Sequence, residues 1–360
     1  MRPSRVRTAA NGECGALTNN GFGSVSQNTK YDPTILSGWN VRPYNWQTSF
    51  QVQQQIIPSM GVTAGYFRTW YENFTVTENT AVPASQFGTF CIVGPTDSRV
   101  SALTGQTVCG FHDVNPAYYG KIQNFVTKAS AFGGQTEVFN GFDVSVNWHF
   151  GHGGLLIGGF STGQVVDDDC AIAKNYPNVT VTQTTAINTV ISNTTTPTQF
   201  CHVVLGYSEN TQIKFAANYP LPIHRWGLGG LQVSVDFQNL PGYPFNTSYV
   251  ASNAQIASSL GRNLSACGTN PICTTTETLT NALYAPFTQS EARLSQTDLR
   301  FAKIFKWRRL NMKANFDIYN LFNANTIVAE STTYSPSNTY LRPTSILGPR
   351  MFKLGTNISF

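Results

Sequence analysis

The residues able to do chemistry are few and scattered. Gly159-Phe160-Ser161-Thr162-Gly163 matches the G-x-S-x-G pattern that presents a nucleophilic serine, and it comes after the apolar run Leu155-Leu156-Ile157. A nucleophile elbow needs a strand, a sharp turn and then a helix. The next residues are Gln164-Val165-Val166-Asp167-Asp168-Asp169-Cys170, with no helical periodicity. The glycine loop His152-Gly153-Gly154 precedes the same strand rather than standing on another. Ser161 is therefore expected to be an ordinary strand serine. His149 and His152 bridge a strand and a turn without a carboxylate as third ligand, so no metal site is expected there. Asp167-Asp168-Asp169 offers hard oxygens but lacks the spacing and turn glycine of a calcium loop, and it reads as a solvated loop. No phosphate loop or dinucleotide fingerprint is present. The expectation is a protein that is not an enzyme and that needs no cofactor or metal.

The seven cysteines point instead to covalent cross-links. None forms a C-x-x-C or stands at zinc-site spacing. Cys91 with Cys109, Cys170 with Cys201, and Cys267 with Cys273 each enclose a polar, loop-like segment, the pattern of local disulfides in an oxidising compartment. Cys14 is left over, and its partner is expected upstream of Met1. Arg2, Arg5 and Arg7 are not followed by the apolar core of an export signal. An oxidised, exported protein lacking that signal is expected to be a fragment.

Those cysteines need a scaffold, and the composition narrows it. Of 360 residues only 11% are charged, against about 25% in ordinary soluble domains. Hydrophobic residues make up 41% and aromatics 12%, a balance opposite to that of disordered chains. No apolar run reaches the ~18–20 residues of a membrane-spanning helix. The net charge of +5 is thinly spread, with no cluster beyond Lys306-Trp307-Arg308-Arg309, so nucleic acid is not an expected partner. A β-rich secreted protein or an outer-membrane β-barrel remains.

Alternation of period two marks the strands. Tyr44, Trp46, Phe50 and Val52 alternate with Asn45, Gln47, Ser49, Gln51 and Gln53. A face made wholly of Asn, Gln and Ser suits a barrel wall with a wet lumen and lipid outside. A second strand runs from Gly61 to about Val76, with Arg68 an unexplained member of its apolar face. The pattern returns in 138–150, 155–166, 211–219, 231–237, 296–305, 310–318 and 352–360. That makes about nine strands, most near the ~9–11 residues needed to span a bilayer. Short connections at 57–60, 151–154, 220–228 and 306–309 alternate with long ones at 77–135, 167–200, 241–290 and 323–345, the topology of outer-membrane barrels. Residues 1–41 read as a polar, extracellular-loop-like segment and 42–360 as barrel. The cysteine pairs fall in or at the edge of the long connections. Trp148, Phe150, Trp226 and Trp307 cluster at the short turns, where an interfacial aromatic girdle belongs.

The C-terminal region carries a more specific signal. Asn320-Leu321-Phe322-Asn323, then Pro349-Arg350, then an alternating strand with Phe352, Ile358 and terminal Phe360, together resemble the closing strands of a TonB-dependent outer-membrane receptor. Asp32-Pro33-Thr34-Ile35-Leu36-Ser37-Gly38-Trp39, Asn45-Trp46 and Gly65-Tyr66-Phe67-Arg68 resemble the large receptors with a carboxypeptidase-regulatory-like N-terminal domain. The resemblance implies a barrel of about 22 strands holding a plug, in the outer membrane of a Gram-negative cell. It also implies that the terminal aromatic strand is the signal read by the barrel-assembly machinery.

The sequence reading is thus an all-β, antiparallel transmembrane barrel segment of a TonB-dependent receptor importing a large or scarce ligand. Plug and TonB box are absent from it. Its partners would be outer-membrane lipid, the missing plug and barrel half, the assembly machinery, an unknown extracellular ligand, and TonB only through the missing segment. The rival reading is a secreted or surface β-sandwich that binds carbohydrate, which should hide Trp46, Phe142, Phe237 and Phe316 from solvent and lipid.

Overall fold

The computed structural model describes residues 28–182, 190–192, 195–223, 229–308, 310–336 and 339–359. Cys14, Trp226 and Phe360 lie outside the described residues, as does most of the polar N-terminal segment.

One large antiparallel sheet organises the chain. Its strands, in chain order and in spatial order alike, are β1 (Tyr44–Ile57), β2 (Met60–Glu72), β3 (Thr136–Phe150), β4 (Gly154–Asp168), β5 (Gln212–Pro220), β6 (Leu231–Leu240), β7 (Leu294–Trp307), β8 (Leu310–Tyr319) and β9 (Met351–Ser359). A tenth short strand, His202–Leu205, pairs with the end of β4 from Val165 to Asp168. Among the described residues β1 and β9 form the two edges, and the sheet is open.

The register lines up the alternating residues into continuous rows. Met60, Trp148, Leu156, Ala217, Val235, Leu299, Ile318 and Phe352 are successive cross-strand partners from β2 to β9. Beside them run Tyr219, Val233, Phe301, Phe316 and Leu354, and, nearer β1, Val52, Ala64, Val144, Phe160 and Ile213. Cross-strand pairs of aromatic and β-branched residues favour this register, because a slip by one residue would interchange the two faces. Yet among the described residues no second sheet covers the apolar face, which meets the Tyr207 ring at Phe142, 6.0 Å between centroids. Trp46 is 57% exposed, Phe142 44% and Phe316 36%, while Phe237 is half-buried. A sandwich would bury such a face under a second sheet, so these exposures argue against the sandwich reading.

The opposite face is polar but not uniformly neutral. Gln51, Gly65, Asp143 and Ser161 form one row near β1. Asn218, Ser234, Arg300, Asp317 and Lys353 form another toward β9. Arg300 donates through Nε to Asp317 Oδ1 at 2.6 Å and through Nη2 to Oδ2 at 3.0 Å, so these two charges are paired. The expectation of a neutral lining holds for β1 and β2 and fails from β3 to β9: Arg300 and Asp317 neutralise each other, whereas Asp236 and Asp298 stand opposite one another across β6 and β7.

Arg68 also finds its place. It lies on the apolar face toward the long-connection end, beside Asn140, whose Oδ1 accepts from Arg68 Nη1 at 3.1 Å and from the Tyr66 hydroxyl at 3.0 Å. A polar trio at a strand end is where an apolar band would meet headgroups. The second strand ends at Glu72 rather than Val76. Asn73 adopts φ 56° and its side chain donates to the Asn40 carbonyl at 2.7 Å. That left-handed residue breaks the strand, and Thr75–Asn79 joins a different sheet.

Trp148 and Phe150 pack at 4.8 Å near a short turn, and Phe150 stacks on Tyr219 at 5.6 Å. The long connections are not simple loops. They carry their own strands and helices and two buried apolar clusters.

Candidate functional site

The serine pattern does not survive placement. Ser161 sits inside β4, paired with Asp143 on one side and Gln212 on the other, so there is no elbow. The two glycines of that pentad are packing requirements. A Cβ on Gly159 would stand 1.9 Å from the Val144 carbonyl oxygen, and one on Gly163 would stand 2.3 Å from the Phe139 ring.

The aspartate run departs from the solvated loop expected of it. Asp167 is 1% exposed and Asp169 0%, beside the buried Glu137 that pairs with Asp167 across β3 and β4. The backbone N–H of Asp169 donates to the Cys201 carbonyl at 3.0 Å, which draws the end of β4 under the Cys170–Cys201 disulfide. Burial first, then the charges of Asp167 and Asp168, push the Asp169 carboxyl up to about 7. Strand pairing with His202–Leu205 covers this end of β4, and the sequence pattern alone carried no sign of that tenth strand.

All three cysteine pairs form disulfides: Cys91–Cys109, Cys170–Cys201 and Cys267–Cys273. The first joins cross-strand partners of the hairpin Phe87–Val93 and Thr107–Val114. That hairpin is half of a cap built from three connections that are remote in sequence. Its Phe90 and Phe111 stack at 5.4 Å and are buried with Val100, Val108, Ile256, Leu264, Leu279 and Leu283. Fully burying each of these large apolar side chains stabilises by about 1.5–3 kcal/mol, which gives the cap a core of its own.

The helix Asn253–Leu260 supplies the cap's other half. Ser252 and Gln255 form a reciprocal capping box at its start, and Gly261 ends it at φ 75°. Two polar links lock helix and hairpin. Ser259 Oγ accepts from the Cys91 N–H at 2.9 Å. Arg262 pairs with Asp113 and also donates to the carbonyls of Asp113 at 3.1 Å and Val114 at 2.9 Å. Arg99 and Asp97 tie in the third connection, as the Tyr334 hydroxyl donates to Asp97 at 3.2 Å. The Arg99 side chain and backbone N–H hold the Asp97 carboxyl well below the usual range.

A cleft of 490 Å³ opens in this cap, within the ~300–1,000 Å³ range of small-molecule sites. Phe87, Tyr118 and Tyr119 give it aromatic walls, and Asn178, Glu277 and Lys121 its polar groups. Sequence reasoning assigned these positions to loops and missed the cleft, because its walls come from segments up to about two hundred residues apart that only tertiary packing unites.

The closing motif acts as a clasp. Asn320, at φ 50° and buried, donates to the carbonyls of Ala324 at 2.9 Å and Gly348 at 2.8 Å, while its own N–H reaches Asp298 Oδ1 at 2.8 Å. The N–H of Leu321 donates to the Thr297 carbonyl at 2.7 Å, and Phe322 is exposed. Asn323 Oδ1 accepts from the Arg350 N–H at 2.9 Å, next to Pro349 and just before β9. The N-L-F-N and Pro-Arg elements thus meet each other, and their spacing sets where β8 ends and β9 begins. Phe352 and Ile358 lie on the apolar face of β9, opposite Ile318 and Met312.

No protein-family model and no curated protein matches this chain. Solved structures similar to it include the FpvAI–pyocin S2 complex, at TM-score 0.40 and 12% identity over 87% of this chain and 27% of that one. Another is the ferripyoverdine receptor of the outer membrane of Pseudomonas aeruginosa bound to ferripyoverdine, at TM-score 0.39 and 11% identity over 87% and 27%. A third is the outer-membrane transporter YddB from Escherichia coli, at TM-score 0.40 and 12% identity over 87% and 32%. The chain spans less than a third of the length of each.

Proposed function

We propose that this chain is part of the wall of a TonB-dependent outer-membrane receptor that imports a large or scarce extracellular ligand. The observation that carries the reading is the row from Met60 to Phe352, a continuous apolar band across eight strands that is left uncovered while the reverse face is polar. Lipid is the solvent that such a face requires, and an aqueous lumen suits the other.

In this reading the short turns face the periplasm, and the disulfide-closed cap faces outward to capture the ligand. The remaining strands close the sheet edges at β1 and β9, since open edges are not tolerated in hydrocarbon. A plug and TonB act through segments beyond these strands, and the β9 aromatics with Phe360 serve the assembly machinery. The mechanism assigned to the chain's own residues is capture and enclosure, with no bond chemistry.

The test is cell fractionation with heat-modifiable gel mobility for the full-length protein. The reading expects outer-membrane recovery and a mobility shift on boiling. Recovery as a soluble protein without a shift would contradict it.

A further inference from the structure

We infer that the cap cleft takes a ligand carrying a primary ammonium group beside a flat aromatic ring, with Glu277 as the residue that reads the ammonium; this rests on the receptor reading above. Among the charged side chains that line the cleft, Asp113 is already satisfied. It pairs with Arg262, accepts from the Ser265 N–H at 3.0 Å and accepts from Ser265 Oγ at 2.7 Å. Lys121 is engaged too, its Nζ lying 4.4 Å from the centroid of the Tyr118 ring. Glu277 stands apart, its carboxylate having no hydrogen-bond or ion-pair partner among the described residues.

A second acceptor among the cleft's lining residues also lacks a donor. Asn178 is 8% exposed and gives its amide N–H to Glu78 Oε1 at 3.2 Å, yet its Oδ1 has no partner. The Asn178 oxygen is buried, whereas the Glu277 carboxylate is partly exposed and open to a donor carried by a ligand. The donor that best complements Glu277 is a cation. Burial and the neighbouring Asp113 carboxylate both disfavour the charged form of Glu277 and push its carboxyl up, and a ligand ammonium would offset both. Phe87 and Tyr119 supply the apolar face against which a ring would lie, and the Tyr119 side chain is exposed at the cleft.

The experiment uses the full-length protein refolded in detergent and titrated calorimetrically with tryptamine, tryptophol and indole-3-propionate, which share a ring and differ in the charge of the tail. Tryptamine should bind about tenfold more tightly than the alcohol, as one charge-assisted hydrogen bond supports. Glu277→Gln should remove that preference, whereas Lys121→Gln should leave it. Equal binding of all three, preference for the propionate, no binding of any, or an unchanged Glu277→Gln variant would overturn the inference. Heat-modifiable mobility measured on the same samples separates the two readings. A folded barrel that ignores tryptamine refutes the ligand class alone, and loss of the barrel signature refutes the receptor reading.

Discussion

The Arg99 guanidinium lies 5.4 Å from the ring centroid of Tyr340 and donates through Nη1 to the Tyr340 carbonyl at 3.0 Å, joining connections 241 residues apart in sequence. The same side chain holds Asp97 through Nη2 at 2.6 Å. Arg99→Ala should therefore release the segment around Ser331–Arg342 from the cap without touching the sheet. Hydrogen exchange should rise in that segment, including the short strand Thr333–Tyr334, and stay unchanged in β3 and β4.

The disulfides should differ in worth according to the loops they close. A disulfide stabilises by about 2–4 kcal/mol, more for longer loops in the chain-entropy account. Cys170–Cys201 closes a separation of 31 residues, Cys91–Cys109 one of 18 and Cys267–Cys273 one of 6. Paired serine substitutions should destabilise the connections that they close in that order, as read by protease sensitivity, while heat-modifiable mobility persists.

Burial of Asp169 predicts a pH dependence with a definite sign. Its carboxyl is pushed up to about 7, above its ordinary value of 3.8, so the folded chain binds more protons than the unfolded one between these limits. That contribution to stability is complete below about pH 4 and is lost as pH rises through about 7. Glu330, pushed up to about 7 by burial and by Glu291, acts in the same direction. Thermal stability of the long connections should fall from pH 5 to pH 8, and Asp169→Asn should flatten the part of the curve due to that residue.

The G-x-S-x-G pentad offers a contrast between two small substitutions. Gly159→Ala forces a methyl group onto the Val144 carbonyl and should destabilise the β3–β4 pairing by roughly 1–3 kcal/mol, the range of overpacking. Ser161→Ala should be near neutral and should abolish no esterase activity. A hydrolase would give the reverse result.

The main strands were legible because the physics that builds them is local. Alternation such as Leu310, Met312, Ala314, Phe316 and Ile318 against Asn311, Lys313, Asn315 and Asp317 fixes which side chains share a face, and β8 spans Leu310–Tyr319. The cysteine pairing was legible because each partner lies near the other in sequence. The cap was not. Phe90 meets Ile256, and Arg262 meets Asp113, through packing between connections that carry no periodic signal. The run of aspartates misled for a related reason, since its burial depends on the tenth strand at His202–Leu205.

The central claim is that the apolar face meets lipid. A benzophenone amino acid placed at position 142, 316 or 145 in the full-length protein and irradiated in outer membranes tests it directly. Phe142 and Phe316 stand on the apolar face, and Ser145 stands exposed on the opposite face of the same sheet. Phospholipid adducts are expected at 142 and 316 and not at 145. Adducts to protein alone at 142 and 316, or equal lipid labelling at 145, would contradict the account.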